Sequence, residues 1–422
     1  MNFKLLEILK SMSSYGIAII FMRLTPFFSI PLILKNISIK EYGELGYVQA
    51  IVMTIVSVAT LNIASSNFRF LKYTDNQYVR QYNKHLIASS NSIVILGAVF
   101  FSLCSLFFLE TPYKLPGVLL ILTQAIYSYF ISLIRAQNKS RVYSAVEIGK
   151  NLTYFGILLL IISYSSLTII SILYTLCLCN FLYLTLLYFF LNKKSWTRLG
   201  YSKILFRRTL FYSLPTLVAY LIQTFLQQSP LMMIDTTDEN LGRINYANKI
   251  SLVIFALQSI VFLAWPYFAY KYQEQKLHQT VFKSLSVLLI SLSWVIYFAF
   301  DWLTLLISNK TFLSSKHIAI GFIGVYVISV LGNMIDTAAS IANKTYLISV
   351  VFICGFVVGM ISYIAIPNST LNEYPFIPLM LAFSTMVILR VIVYTKNGFF
   401  KSWDNYTLSF VFVNVILMLY IS

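Results

Sequence analysis

Between Tyr15 and Tyr394 the sequence is a succession of twelve apolar runs, each about twenty residues long, joined by short polar loops. Few folds accept such a chain. A helix needs about 20 apolar residues to cross roughly 30 Å of hydrocarbon, and only a helix satisfies its own backbone along such a run. A membrane β-barrel would instead show segments of about ten residues with alternating hydrophobicity; these runs are continuous. With 59% hydrophobic and 11% charged residues, the chain reads as an all-α polytopic membrane protein.

The predicted spans are Tyr15–Leu34, Leu45–Ser66, Leu86–Leu109, Leu115–Ile134, Ala145–Ser163 and Leu167–Leu191, then Phe211–Ile234, Tyr246–Ala269, Lys283–Ile307, Ile318–Ile341, Tyr346–Ile366 and Pro375–Tyr394. A shorter thirteenth run, Tyr406–Ile421, closes the chain. Sliding the sequence by about 199 positions sets Ser29–Ala50 against Gln228–Lys249, with Pro31 on Pro230, Leu32 on Leu231, Gly43 on Gly242 and Tyr47 on Tyr246. Both windows run apolar helix, polar turn, apolar helix. We therefore expect twelve core helices in two six-helix bundles, residues 1–191 and 210–394, with a basic linker at 192–209 and an extra segment at 395–422 that carries the thirteenth run. Because six is even, both bundles would enter from the same side as a parallel repeat. Repeats of this kind recur in secondary transporters, with the substrate site near the midplane.

Lys and Arg concentrate in the N-terminus and in every second loop after it, with Arg390 counted in the last of these loops, so the N-terminus is placed in the cytoplasm. The net charge of +17 is scattered beside helix ends. It serves topology and attraction to anionic headgroups, and no nucleic-acid partner is implied. The segment Phe68–His85, with Phe68, Leu71, Tyr78 and Tyr82 at helical spacing, suggests a piece lying on the cytoplasmic surface. No cleavable signal peptide is apparent, so the first helix should be retained. Cys104, Cys177, Cys179 and Cys354 all fall inside apolar spans without metal-type spacing, which reads as buried free thiols.

Several motifs resemble one family. Arg23 with Pro26 three residues on, a second Pro31, EYG at Glu41–Gly43 and ASSNFRFLKY at Ala64–Tyr73 resemble the start of bacterial polysaccharide flippases of the Wzx (O-antigen) type. So do RRTLFYSLP at Arg207–Pro215, INYANK at Ile244–Lys249 and AWPYFAYKY at Ala264–Tyr272. These flippases belong to the multidrug/oligosaccharidyl-lipid/polysaccharide exporter superfamily. The resemblance implies movement of an undecaprenyl-pyrophosphate-linked oligosaccharide repeat unit from the cytoplasmic to the periplasmic leaflet of the bacterial inner membrane. It implies alternating access without ATP, and the sequence has no GxxxxGK[ST] phosphate loop. The implied partners are the lipid-linked oligosaccharide, membrane lipids, and the polysaccharide polymerase and chain-length machinery. No cofactor is expected beyond H⁺ or Na⁺ for coupling.

The candidate site residues are polar side chains within the spans. Arg23 lies deep in the first; it either meets a pyrophosphate through bidentate hydrogen bonds or snorkels to headgroups. Asp336 heads the stripe Asn333, Asp336, Thr337, Ser340 and Lys344 on one helix face. There it either takes up H⁺ or Na⁺ to drive the cycle or bonds structurally to a neighbouring helix or to Lys344. The seventh span carries Thr216, Tyr220, Gln223 and Gln227, uncharged groups that suit sugar hydroxyls and equally suit interhelical hydrogen bonds. The fourth repeats the theme with Gln124, Ser128, Ser132 and Arg135, and the second with Asn62, Ser66 and Arg69. Lys249 either receives the pyrophosphate late in the cycle or snorkels outward. Two other functions compete. An exporter of small cationic drugs would want buried acidic residues, and a membrane enzyme such as a polymerase or acyltransferase would want a large periplasmic loop or a buried His. Neither loop nor buried His is expected here, and the chain is read as a non-enzyme.

Overall fold

The computed structural model describes residues 25, 28–71, 77–136, 139–192, 198–234, 239–252, 254, 275–307, 310–341, 344, 346–398 and 403–421. Every apolar run represented there is helical, and no strand occurs among the described residues. In chain order the helices are α1 (28–34), α2 (Ile39–Ala59), α3 (Ile63–Phe70), α4 (Gln77–Cys104), α5 (Lys114–Ala136), α6 (Ser140–Tyr164), α7 (Ile169–Asn192), α8 (Lys203–Met233) and α9 (239–252). They continue with α10 (Gln275–Ile307), α11 (Lys316–Ile341), α12 (Tyr346–Ala365), α13 (Asn368–Glu373), α14 (Ile377–Lys396) and α15 (Asn405–Ile421). Among the described residues ten helical segments are long and apolar enough to cross a membrane, and Asn405–Ile421 is a shorter apolar one. The chain is a multi-pass helical membrane protein, as its hydropathy pattern requires.

Local signals in the polar turns set the helix starts. Before α2, Ser38 and Glu41 form a reciprocal cap: Ser38 N–H donates to Glu41 Oε2 at 2.7 Å and Glu41 N–H to Ser38 Oγ at 3.2 Å. Thr168 and Ser171 do the same before α7, and Asp404 accepts from the Thr407 N–H at the head of α15.

Four helix boundaries differ from expectation. The second span is not continuous: Leu61 and Asn62 both adopt φ of 47°, and the helix stops at Ala59 and restarts at Ile63. Two successive left-handed residues cannot propagate a right-handed ladder, and Gly97 of α4 packs against the freed Ala59 carbonyl at the break. Residues 77–85, expected along the membrane surface, are instead the first turns of α4. Residues 203–209 of the expected linker belong to α8. α10 likewise starts two turns early and runs for 33 residues, about 50 Å at 1.5 Å per residue, so it outruns the hydrocarbon. Cys354 also departs from expectation. It is exposed on an apolar helix, a position that faces lipid, while Cys177 and Cys179 are buried; all four thiols are free.

By packing, the chain divides into two compact units, Tyr47–Gln228 and Met1–Gly46 with Ser229–Ser422. In the first, α5 packs on α4, α6 and α7. In the second, α11 is the central helix, buried along its whole apolar window and packed against α10, α14 and α15, while α14 also lies along α12. Without a hydrophobic driving force between helices in lipid, close approach depends on small residues. Gly355 of α12 admits Met386 of α14 and its neighbouring Ala382 carbonyl. The repeated windows meet inside this same unit. Asn245 Nδ2 donates to the Tyr42 carbonyl at 2.8 Å, a Cβ on Gly46 would fall on the Asn245 amide, and one on Gly242 would fall on the Ile39 carbonyl. Gly46 and Asn245 occupy equivalent places in the two copies.

Candidate functional site

The most strongly held polar group in the second unit is Asp336 of α11. Arg390 of α14 grips it with two parallel bonds, Nε to Oδ1 and Nη2 to Oδ2, each 2.7 Å, and the Tyr394 hydroxyl donates to Oδ1 at 2.7 Å. Arg390 and Tyr394 are one turn apart, so a single face of α14 supplies both donors. Gly332 makes the approach feasible, because a Cβ there would stand 2.5 Å from Arg390 Nη1. The guanidinium also lies 4.9 Å from the Phe352 ring centroid on α12. Arg390 is 1% exposed. Its assignment to a cytoplasmic loop is therefore corrected: it is a buried helix residue, retained in an apolar setting because a bidentate carboxylate neutralises it. Asp336 bonds to Arg390 and Tyr394; Lys344, the alternative partner, lies beyond the end of α11.

Two polar clusters lie in the first unit. One ties the short helix α3 to the bundle: Asn67 Nδ2 donates to the Tyr129 hydroxyl at 3.4 Å, Ser90 Oγ to Asn67 Oδ1 at 3.0 Å, and Tyr129 to Asn91 Oδ1 at 2.8 Å. The Asn91 amide in turn donates to the Arg198 carbonyl at 2.9 Å. The other sits among α5, α6 and α7. Asn180 Nδ2 donates to Gln124 Oε1 at 2.7 Å, Lys150 Nζ lies 3.5 Å from Asn180 Oδ1, and the same ammonium stands 3.8 Å from the Tyr127 ring centroid. Glu147, one turn before Lys150, is buried.

Of the sequence-nominated residues, Gln124 is thus placed in a cluster, through Asn180. Gln223 and Gln227 are partly buried on α8, and Gln227 Nε2 is buried without a hydrogen-bond partner. Asn62 caps α3 in the left-handed region. Arg135 closes α5, where a cation suits the carbonyl end of the dipole, and Lys249 is partly buried on α9. Arg23 and the side chain of Arg69 lie outside the described residues, as do the side chains of Thr337 and Ser340. The stripe hydroxyls of Ser66, Ser128, Ser132 and Thr216 all donate to carbonyls of their own helices. The expectation of no buried His is corrected: His278 is 1% exposed in the first turns of α10. Sequence reasoning missed Arg390, Tyr394, Glu147 and Lys150. The signal for the last two was available, since Glu147, Lys150 and Asn151 stand at i, i+3 and i+4.

Buried charges and amide networks among apolar helices are the features of a polytopic helical membrane protein. The fold is that of the MATE transporters. The chain is similar to the MATE multidrug transporter DinF-BH (TM-score 0.67, 13% identity, 94% of this chain and 96% of that one) and to the Vibrio cholerae MATE transporter VcmN in mutant form (0.56, 10%, 96% and 99%). It is also similar to the outward-facing form of a multidrug resistance MATE family transporter of the MOP superfamily (0.56, 9%, 96% of each chain). No protein-family model matches the chain, and no curated protein sequence matches it.

Proposed function

We propose that the chain is a membrane exporter that flips an undecaprenyl-pyrophosphate-linked oligosaccharide repeat unit from the cytoplasmic to the periplasmic leaflet by ion-coupled alternating access. The observation that carries this reading is the charge balance of the interior. Among the described residues the two buried carboxylates each have a cation close by: Asp336 is gripped by Arg390, and Glu147 lies three residues from Lys150 on one helix face. A cationic solute needs an acidic group left over to repay its desolvation. A glycan needs amides and hydroxyls, and the buried Gln227 Nε2 offers a donor without an acceptor. In this reading Arg23 binds the pyrophosphate, Gln124, Gln223 and Gln227 face sugar hydroxyls, Asn62, Arg69 and Arg135 are further substrate contacts, and Lys249 receives the phosphates late in the cycle.

Deleting the gene should leave single lipid-linked repeat units on the cytoplasmic leaflet and strip the cell of surface polymer. A deletion strain with normal surface polysaccharide would reject the proposal. The second reading, a multidrug exporter, is favoured by the nature of the solved neighbours. Drug resistance conferred by overexpression, with no defect in surface polymer on deletion, would put it first.

A further inference from the structure

α8 opens with a basic face for which the fold supplies no counter-charge. Ile204, Arg207, Arg208 and Phe211 stand at i, i+3, i+4 and i+7, so they share one side of the helix, and together they line an open cavity of about 490 Å³. Both arginines are exposed. Each guanidinium lies against an aromatic ring, Arg207 at 5.3 Å from the Phe211 centroid and Arg208 at 4.4 Å from that of Phe70 on α3. Phe70 is itself braced edge-on by Tyr212, 5.3 Å away. A guanidinium stacked on a ring keeps its N–H edge for other partners. Among the described residues neither arginine forms an ion pair or a side-chain hydrogen bond. No acid is near in sequence either, for no Asp or Glu occurs between Glu147 and Asp235. The unit Tyr47–Gln228 as a whole holds only Asp75, Glu110 and Glu147, too few to balance its cations from within.

The depth of the pair is set by the chain that follows. Residues 209–234 carry no charge; at 1.5 Å per residue such a run covers about 39 Å, enough to cross the roughly 30 Å of hydrocarbon. Arg207 and Arg208 are therefore the last charges before the lipid interior, at the level of the headgroup phosphates. Past them the same side of α8 stays apolar and open: Phe211 is 65% exposed, Leu214 47% and Val218 38%. An amphiphile with an anionic head and an apolar tail matches this order of groups.

We propose that this face of α8 is a binding site for an anionic glycerophospholipid of the bilayer, its phosphate held by Arg207 and Arg208 and an acyl chain lying along Phe211, Leu214 and Val218. Arginine suits the task because its planar fork meets phosphate oxygens bidentately, and the ring behind each guanidinium limits the freedom it gives up on binding. The site is composite: α8 supplies the cations and α3, through Phe70, backs one of them. Headgroup attraction spread over basic loops depends on charge alone, whereas this site depends on guanidinium geometry. It holds its lipid whatever the chain exports.

The test is native mass spectrometry of the full chain released from detergent micelles, titrated with phosphatidylglycerol and, in parallel, with phosphatidylcholine of the same acyl chains. One phosphatidylglycerol should bind about tenfold more tightly than phosphatidylcholine, and Arg207→Ala/Arg208→Ala should erase the difference. Arg207→Lys/Arg208→Lys keeps both charges without the fork or the stacking, and should lose most of the preference. Lys276→Ala/Lys283→Ala, at exposed positions near the start of α10, removes the same charge elsewhere and should leave binding within about twofold of wild type. Full binding by the lysine variant, or an equal loss in the α10 variant, would show diffuse charge attraction and overturn the site. Displacement of phosphatidylglycerol by millimolar inorganic phosphate would make it a site for a free anion, and preferential capture of undecaprenyl pyrophosphate would give the face to the cargo. Either result overturns the assignment to a bilayer lipid.

Discussion

Breaking the Asp336–Arg390 pair should have a cost set by what it strands. In Arg390→Met the methionine fills most of the arginine's volume, but Asp336 loses both 2.7 Å bonds and keeps only Tyr394. A buried charge so abandoned costs roughly 3–5 kcal/mol. Tyr394→Phe removes one hydrogen bond to a charged group, about 1.5–3 kcal/mol. The double variant Asp336→Leu/Arg390→Met removes both charges at once and should lie near the wild type, or up to about 4 kcal/mol above it. Unfolding in mixed detergent micelles, followed by tryptophan fluorescence, gives these values and that of Asp336→Leu, which closes the cycle. The expected interaction energy from the cycle is at least about 3 kcal/mol. Single variants within about 0.5 kcal/mol of wild type, or a double variant as damaged as the sum of the singles, would show that the pair does not hold α11 to α14. A stable double variant that no longer transports would give Asp336 the coupling role its sequence position suggested.

Gly332→Ala places a methyl 2.5 Å from Arg390 Nη1. It should destabilise by about 1–3 kcal/mol in the wild-type background and by much less beside Arg390→Met, measured in the same unfolding assay. Gly242→Ala should cost more than Gly46→Ala, because the first meets the Ile39 backbone carbonyl and the second a side-chain amide that Asn245→Ala removes; rescue of Gly46→Ala by Asn245→Ala is the check, and equal damage without rescue would contradict it. Tyr129→Phe removes the hydroxyl that donates to Asn91 Oδ1 and accepts from Asn67 Nδ2, a loss of about 1–3 kcal/mol, and hydrogen exchange in the Ile63–Phe70 helix should rise as α3 loosens.

The membrane class was legible because a hydrophobic run of helix-spanning length has one structural solution, and the same continuity hid what interrupts it. Nothing in the residues Thr60, Leu61 and Asn62 demands a break; the left-handed pair persists because the packed surroundings at Ala59 and Gly97 hold it. Arg390 read as a loop cation because it sits within two turns of the end of α14, and its partner is 54 positions away. Only the folded chain shows that Gly332 opens a seat for it. Glu147 falls two residues into the span expected from Ala145, whereas α6 begins at Ser140, so the residue stands two turns inside the helix. The repeated windows were legible from Pro31, Gly43 and Tyr47 against Pro230, Gly242 and Tyr246. Their mutual packing through Gly46 and Asn245 was not, since a repeat in sequence carries no statement about self-contact.

The most direct measurement is transport of a defined lipid-pyrophosphate oligosaccharide across the bilayer of liposomes holding the purified full chain, read by the fraction of glycan that becomes accessible to an added glycosidase. The expected result is transfer to the opposite leaflet, accelerated by an imposed pH gradient and lost in Arg23→Ala. Liposomes that move a cationic dye but leave the glycan on its starting side would contradict the flippase assignment.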